Sequence, residues 1–95
     1  VDVYVIQRRS GWANTDELGA AAERSKAVAD ADFQGHISWI RSYVVPEADG
    51  RLGTVCIYEA SSPEKIHEHA KAADLPVTEI KKSISTVVMR DDPAK

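Results

Sequence analysis

The sequence predicts an α+β domain whose elements run strand, helix, strand, strand, helix, strand. Three observations carry this. Runs rich in β-branched and aromatic residues stand at 1–9, 36–45, 53–60 and 80–90. Two stretches with helical spacing, each opened by a capping residue, separate the first run from the second and the third from the fourth. Between the second and third runs lies only a short turn signal. With 95 residues there is room for one core, placed at 1–90, followed by a polar tail at 91–95 with no reason to be ordered.

The first strand is VDVYVIQRR, residues 1–9, and Ser10-Gly11-Trp12-Ala13 reads as a loop. Asn14 then opens a helix, with Glu17 placed three residues on to complete a capping box and two acids in the first turn to suit the helix dipole. Leu18, Ala21, Ala22, Ser25, Val28 and Ala29 form a small-residue face able to lie close to a sheet, and the helix should end near Asp32. Gly35 turns into a second strand, His36 to Val45, stopped by Pro46. Glu47-Ala48-Asp49-Gly50 makes a hairpin with the third strand, Gly53 to Ala60. Ser62 caps a second helix with Pro63 at its first position, and Pro76 prevents its simple continuation. IKKSISTVVMR, residues 80–90, is the last strand. Two split β-α-β units of this order close into a four-stranded antiparallel sheet with both helices on one face, the ferredoxin-like arrangement. A single cysteine cannot ligate an iron–sulfur cluster, so only the fold is implied.

Alternation sorts each strand into two faces. Val1, Val3 and Val5 oppose Tyr4 and Ile6; Ile37, Trp39 and Tyr43 oppose Ile40 and Val44; Val55 and Ile57 oppose Cys56 and Tyr58; Val87 and Met89 oppose Ile84 and Val88. Both faces are apolar, whereas helices cover only one. The expected remedy is a homodimer, sheet against sheet, as in a dimeric α/β barrel. A net charge of −3 with scattered Lys and Arg argues against a nucleic-acid partner. No apolar run approaches the ~20 residues of a membrane span. The N-terminal residues lack a secretory pattern, and the lone Cys56 fits a reducing compartment, so a cytoplasmic location is expected.

The reactive residues gather between Trp39 and Ala70. On a helix His67 and His69 point about 200° apart and cannot share an ion. His69 shares a face with Ile66, Ala70 and Ala73 and turns to the sheet, while His67 turns to water and His36 is exposed. His69 is then either a core histidine satisfied by a carbonyl or a tyrosine hydroxyl, or a metal ligand or acid–base group in a helix–sheet pocket. Cys56 shares the Tyr58 face; nothing local activates its thiol. Glu59 falls on the face opposite Cys56; with Arg41 it forms either a structural ion pair across the hairpin or an anchor for a polar ligand group. Nucleophile triads, phosphate-binding glycine loops and paired-cysteine zinc motifs are absent from the sequence.

WIRSYVV at 39–45 followed by CIYEASSPEKIHEHAKAADLP at 56–76 resembles a family of small bacterial proteins with nickel-binding, nickel-responsive members. Trp39, Ser42, Tyr43, Cys56, Tyr58-Glu59-Ala60, His69-Ala70 and Pro76 carry the resemblance, which starts in the first strand and is densest from Trp39 on. The loop Pro46–Leu52 is longer than is common in that family. The resemblance implies a ferredoxin-like dimer and nickel as a bound metal. Within this chain the candidate ligands are His69, Cys56, Tyr43 and Glu59, in a site that two subunits would share if the faces do not converge. The leading expectation is a cytosolic homodimer that sequesters or senses nickel, with His69 as its central ligand. Its rival is a small-molecule binder or cofactor-free enzyme, of monooxygenase or isomerase type. There Trp39, Tyr43, Tyr58 and His69 line an apolar pocket and His69 is the base.

Overall fold

A computed structural model describes residues 2–93. Strand β1 spans Asp2–Trp12, helix α1 Thr15–Asp32, β2 Ile37–Pro46, β3 Leu52–Ala60, helix α2 Pro63–Ala72 and β4 Glu79–Lys82. The sheet has the order β2-β3-β1-β4, antiparallel throughout, so the predicted ferredoxin-like α+β architecture is present. Among the described residues no helix is long and apolar enough to cross a membrane.

The helix starts are built as the capping residues require. Asn14 Oδ1 accepts from the Glu17 amide at 3.0 Å, and Glu17 reaches back to accept from the Ala13 amide at 2.9 Å. Ser62 caps α2 by accepting from the Lys65 amide, with Pro63 at the first turn. The end of α2 is closed by Asp74 in the left-handed region and by the Leu75 amide donating to the Ala70 carbonyl at 2.8 Å.

One face of the sheet meets the helices. Tyr4, Ile6, Cys56, Tyr58 and Ala60 pack there with Phe33, Ile37 and Ile66 to form the core. Their alternation partners Val3, Val5, Val55 and Ile57 are half-buried on the outer face. Along α1 the buried positions are Ala21 and Ser25, and along α2 they are Ile66, His69 and Ala70. Small side chains let α1 approach closely, which suits a helix with no large apolar anchor of its own.

Three sequence expectations are corrected. Residues 10–12 are not a loop: β1 runs on to Trp12, which is buried opposite Leu52. Ser10 adopts φ 50° and the register slips between Arg8 and Trp12, so a bulge absorbs the irregularity that suggested a loop. The last strand ends at Lys82 rather than at residue 90. In its register Tyr4 lies opposite Lys82, and the Ser83 amide donates to the Val3 carbonyl as the last contact of the ladder. Residues 84–92 cross the outer face instead, against Val3, Val5 and Ile57, with Ile84, Val87, Val88 and Met89 exposed. Asp92, in the segment read as an unordered tail, accepts from the Tyr43 hydroxyl at 2.9 Å and pairs with Arg41 at 3.2 Å. The expectations for Val1, Ala94 and Lys95 lie outside the described residues.

The third correction concerns β2. Trp39 lies opposite Tyr58, but the next pair is Arg41 opposite Ile57, so Ile40 is an extra residue in the strand. Parity reverses beyond it. Ser42 and Val44 join Trp39 on the helix side, opposite Cys56 and Thr54, while Arg41 and Tyr43 turn to the outer face. Trp39 and Tyr43 therefore do not share a face. Nor does Arg41 pair with Glu59, which lies opposite Ser38; its partner is Asp92.

Gly53 sits where β3 passes the Arg8 carbonyl. A Cβ there would lie 2.7 Å from that backbone oxygen and against the Glu47 carboxylate. Gly53→Ala should cost about 1–3 kcal/mol, several degrees in Tm. Gly19, exposed on α1 with nothing within 4 Å of its would-be Cβ, should tolerate alanine and gain about 0.5–1 kcal/mol. Urea unfolding of the two variants should move in opposite directions.

Candidate functional site

Ser25 joins α1, α2 and the sheet. The His69 Nε2–H donates to the Ser25 carbonyl at 2.9 Å, and the Ser25 hydroxyl lies 3.3 Å from the Tyr58 hydroxyl and 3.4 Å from His69 Nε2. The His69 ring meets Phe33 edge-on at 5.6 Å between centroids and is fully buried. With the proton on Nε2, Nδ1 carries a lone pair that has no partner. Burial pushes the His69 pKa down from 6.5; the bond to Ser25 works against the fall, and the positive charge of Arg8 adds to it. His69 is thus a neutral core histidine satisfied by a carbonyl. Burial also raises the Tyr58 phenol above its ordinary value, with the Ser25 hydroxyl working against the rise.

Beside this node, between α1 and strands β2 and β3, lies a cavity of about 450 Å³. Leu18, Gly19, Ala21 and Ala22 form its helix wall, and Trp39, Ser42, Thr54, Cys56 and Tyr58 its sheet wall. Apart from Leu18 the side chains of this helix wall are small, and the sheet wall includes the edge strand β2, so the space between them is left open. Trp39 stacks on Tyr58 at 6.0 Å, and its indole N–H donates to the Ser42 hydroxyl at 2.8 Å. Ser42 in turn donates to Cys56 Sγ at 3.0 Å, and Thr54 lies 3.3 Å from the same sulfur. Cys56 is buried and hydrogen-bonded within this chain of contacts.

Arg8 closes the deep end. It is 2% exposed; Nη1 donates to the Pro76 carbonyl at 2.8 Å and Nη2 has no partner. No carboxylate among the described residues pairs with it. An unpaired buried charge costs on the order of several kcal/mol. Sequence reading passed it over, although the alternation Tyr4, Ile6, Arg8 places it on the inward set.

Of the expected pocket residues, Trp39 and Tyr58 line the cavity; Tyr43 lies on the outer face, and His69 stands behind Ser25. Of the expected metal ligands, His69 and Cys56 lie on the helix side, Tyr43 and Glu59 on the other. Among the described residues no three of His, Cys, Asp and Glu come together as a metal site. The free Nδ1 of His69 is a donor of the right kind, but it has no nearby carboxylate and feels the charge of Arg8. The helix-side residues as placed do not fit a divalent cation.

The depressed pKa of His69 has a stability consequence. An unfolded chain takes up a proton near pH 6.5 that the folded one refuses, so the stabilisation is complete above that pH and is lost as pH falls towards the folded value. In chelator-treated protein, the urea midpoint should drop between pH 7 and pH 5 more steeply for the wild type than for His69→Gln. Parallel curves would show that His69 is not the responsible group.

Comparison with known proteins agrees with the fold. The crystal structure of SCO4226 from Streptomyces coelicolor A3(2) is similar to this chain with a TM-score of 0.71, covering 90% of this chain and 99% of that one at 17% identity. A comparison with curated protein sequences gave no match. A family model described as "Nickel responsive protein SCO4226-like" matches residues 4–82, a span from β1 through β4 that takes in the Ser25 node and the cavity. The chain belongs to this SCO4226-like family of nickel-responsive proteins.

Proposed function

We propose that the protein is a cytosolic homodimer that binds nickel and serves in its sequestration or sensing. Family membership is the observation that carries this reading. The apolar outer face supports the dimer: Val3, Val5, Val55 and Ile57 are only half-buried, and Ile84, Val87, Val88 and Met89 add an exposed apolar strip beside them. The metal belongs on that face. It is away from Arg8 and holds Tyr43 and Glu59 of the expected ligands, with Asp92 beside Tyr43; a metal bound there would displace Arg41 from its pairing with Asp92. Tyr43 lies opposite Val55, four residues from Glu59, so about 13 Å of strand separates the two. Only a second copy laid across the sheet brings such groups together, which makes metal binding depend on dimerisation.

Light scattering after size exclusion at micromolar concentration should give a dimer. Equilibrium dialysis with metal analysis should find nickel retained by the wild type, about tenfold less by Glu59→Gln, and little changed in His69→Ala. A monomer that retains no nickel would overturn the reading, and loss confined to His69→Ala would move the site behind the sheet.

A second reading, a small-molecule binder or cofactor-free enzyme, is favoured by the cavity under α1, whose volume falls in the range of ligand sites. In that reading His69 addresses a ligand only through Ser25 and Tyr58, because it does not line the cavity.

A further inference from the structure

We infer that the cavity between α1 and the sheet is a binding site for a small apolar monocarboxylate, whose carboxylate is held by the Arg8 guanidinium. The inference rests on the second reading above, that the cavity takes a ligand, and adds its chemical class and its anchor.

Arg8 is the observation that requires it. Arginine keeps its charge when buried, and its planar fork is shaped for two parallel bonds to a carboxylate. Here one Nη is spent on the Pro76 carbonyl, a neutral acceptor, and the other has no partner. Pro76 satisfies geometry without neutralising charge. A water molecule at Nη2 would do the same. Within the described residues no acid pairs with Arg8, and the side chain faces a cavity large enough to admit an anion.

The rest of the cavity sets the ligand's body. Leu18, Ala22, Trp39, Val44 and Leu75 make its walls predominantly apolar. The indole of Trp39, stacked on Tyr58, offers a flat surface to an aromatic or aliphatic group. Arg41, which also borders the cavity, is half-exposed and paired with Asp92. One uncompensated cation among apolar walls matches one negative charge. A phosphate dianion would bring more charge than the site balances, and a metal cation would be repelled. Thr54 and Tyr58 supply hydroxyls beside the anchor, enough to orient a carboxylate.

The test uses matched pairs of aryl carboxylates and their primary amides (benzoate, phenylacetate, 2-naphthoate) on the full chain. Affinities come from ligand-observed NMR titration, and shifts of the Trp39 indole and Arg8 guanidinium N–H signals place the ligand. At least one acid should bind about tenfold or more tightly than its amide, the preference a charge-assisted bond confers, with both signals moving. Arg8→Met should erase the preference while leaving amide binding in place, and Ala22→Phe should block both. Because acid and amide are compared on the wild type, the result stands even if Arg8→Met fails to fold. Acids and amides binding equally would overturn the role of Arg8 and leave the cavity reading intact. No binding by any member of the panel would overturn the cavity reading, and the inference with it.

Discussion

The arrangement of helices over the sheet turns on one buried contact, the hydrogen bond from His69 to the backbone carbonyl of Ser25. A carbonyl in mid-helix has a second lone pair, and burying it beside an imidazole converts that spare acceptor into a link between α2 and α1. The Ser25 hydroxyl extends the link to Tyr58 in the central strand β3. Such a link forms only if α1 presents little side chain at the crossing, hence Ala21 and Ser25 at its buried positions. Holding α1 down at Ser25 has a cost further along the helix. Where Gly19 and Ala22 face the edge strand β2, the same small side chains cannot fill the gap, and the cavity results.

Two polar groups near that gap keep unspent hydrogen-bonding capacity, Arg8 Nη2 and His69 Nδ1. Their chemistry points the same way. The charge of Arg8 favours the neutral imidazole, and a neutral imidazole beside a guanidinium is a poor place to install a second cation.

Much of this was legible from residues alone, for reasons that can be named. The caps Asn14 and Ser62, the α1 stripe and the inward turn of His69 follow from local chemistry and helical spacing, which tertiary packing reinforced. What failed to show was parity. A strand's faces are readable only while its register is unbroken, and both errors of face or boundary sit at bulges, near Ser10 in β1 and at Ile40 in β2. The premature end of β4 is of another kind. ISTVVM has strand propensity, but propensity does not by itself provide a neighbouring strand, and the described ladder ends where the Ser83 amide donates to the Val3 carbonyl. Arg8 was passed over because a charged residue at the end of an apolar alternation reads as the place where the strand meets water.

The bulge at Ile40 also settles why the residues that carry the family resemblance need not serve one site. Trp39, Ser42 and Cys56 are tied together on the helix side by a chain of hydrogen bonds that shapes the cavity wall. Tyr43, one residue past Ser42, is turned outward to Asp92 and Arg41. Without the extra residue Trp39 and Tyr43 would share a face, and Ser42 would lie opposite that of Cys56. The run WIRSY thus serves both sides of the sheet. Its inner members shape the wall of an apolar cavity that Arg8 also lines, and its outer members carry polar groups to the surface.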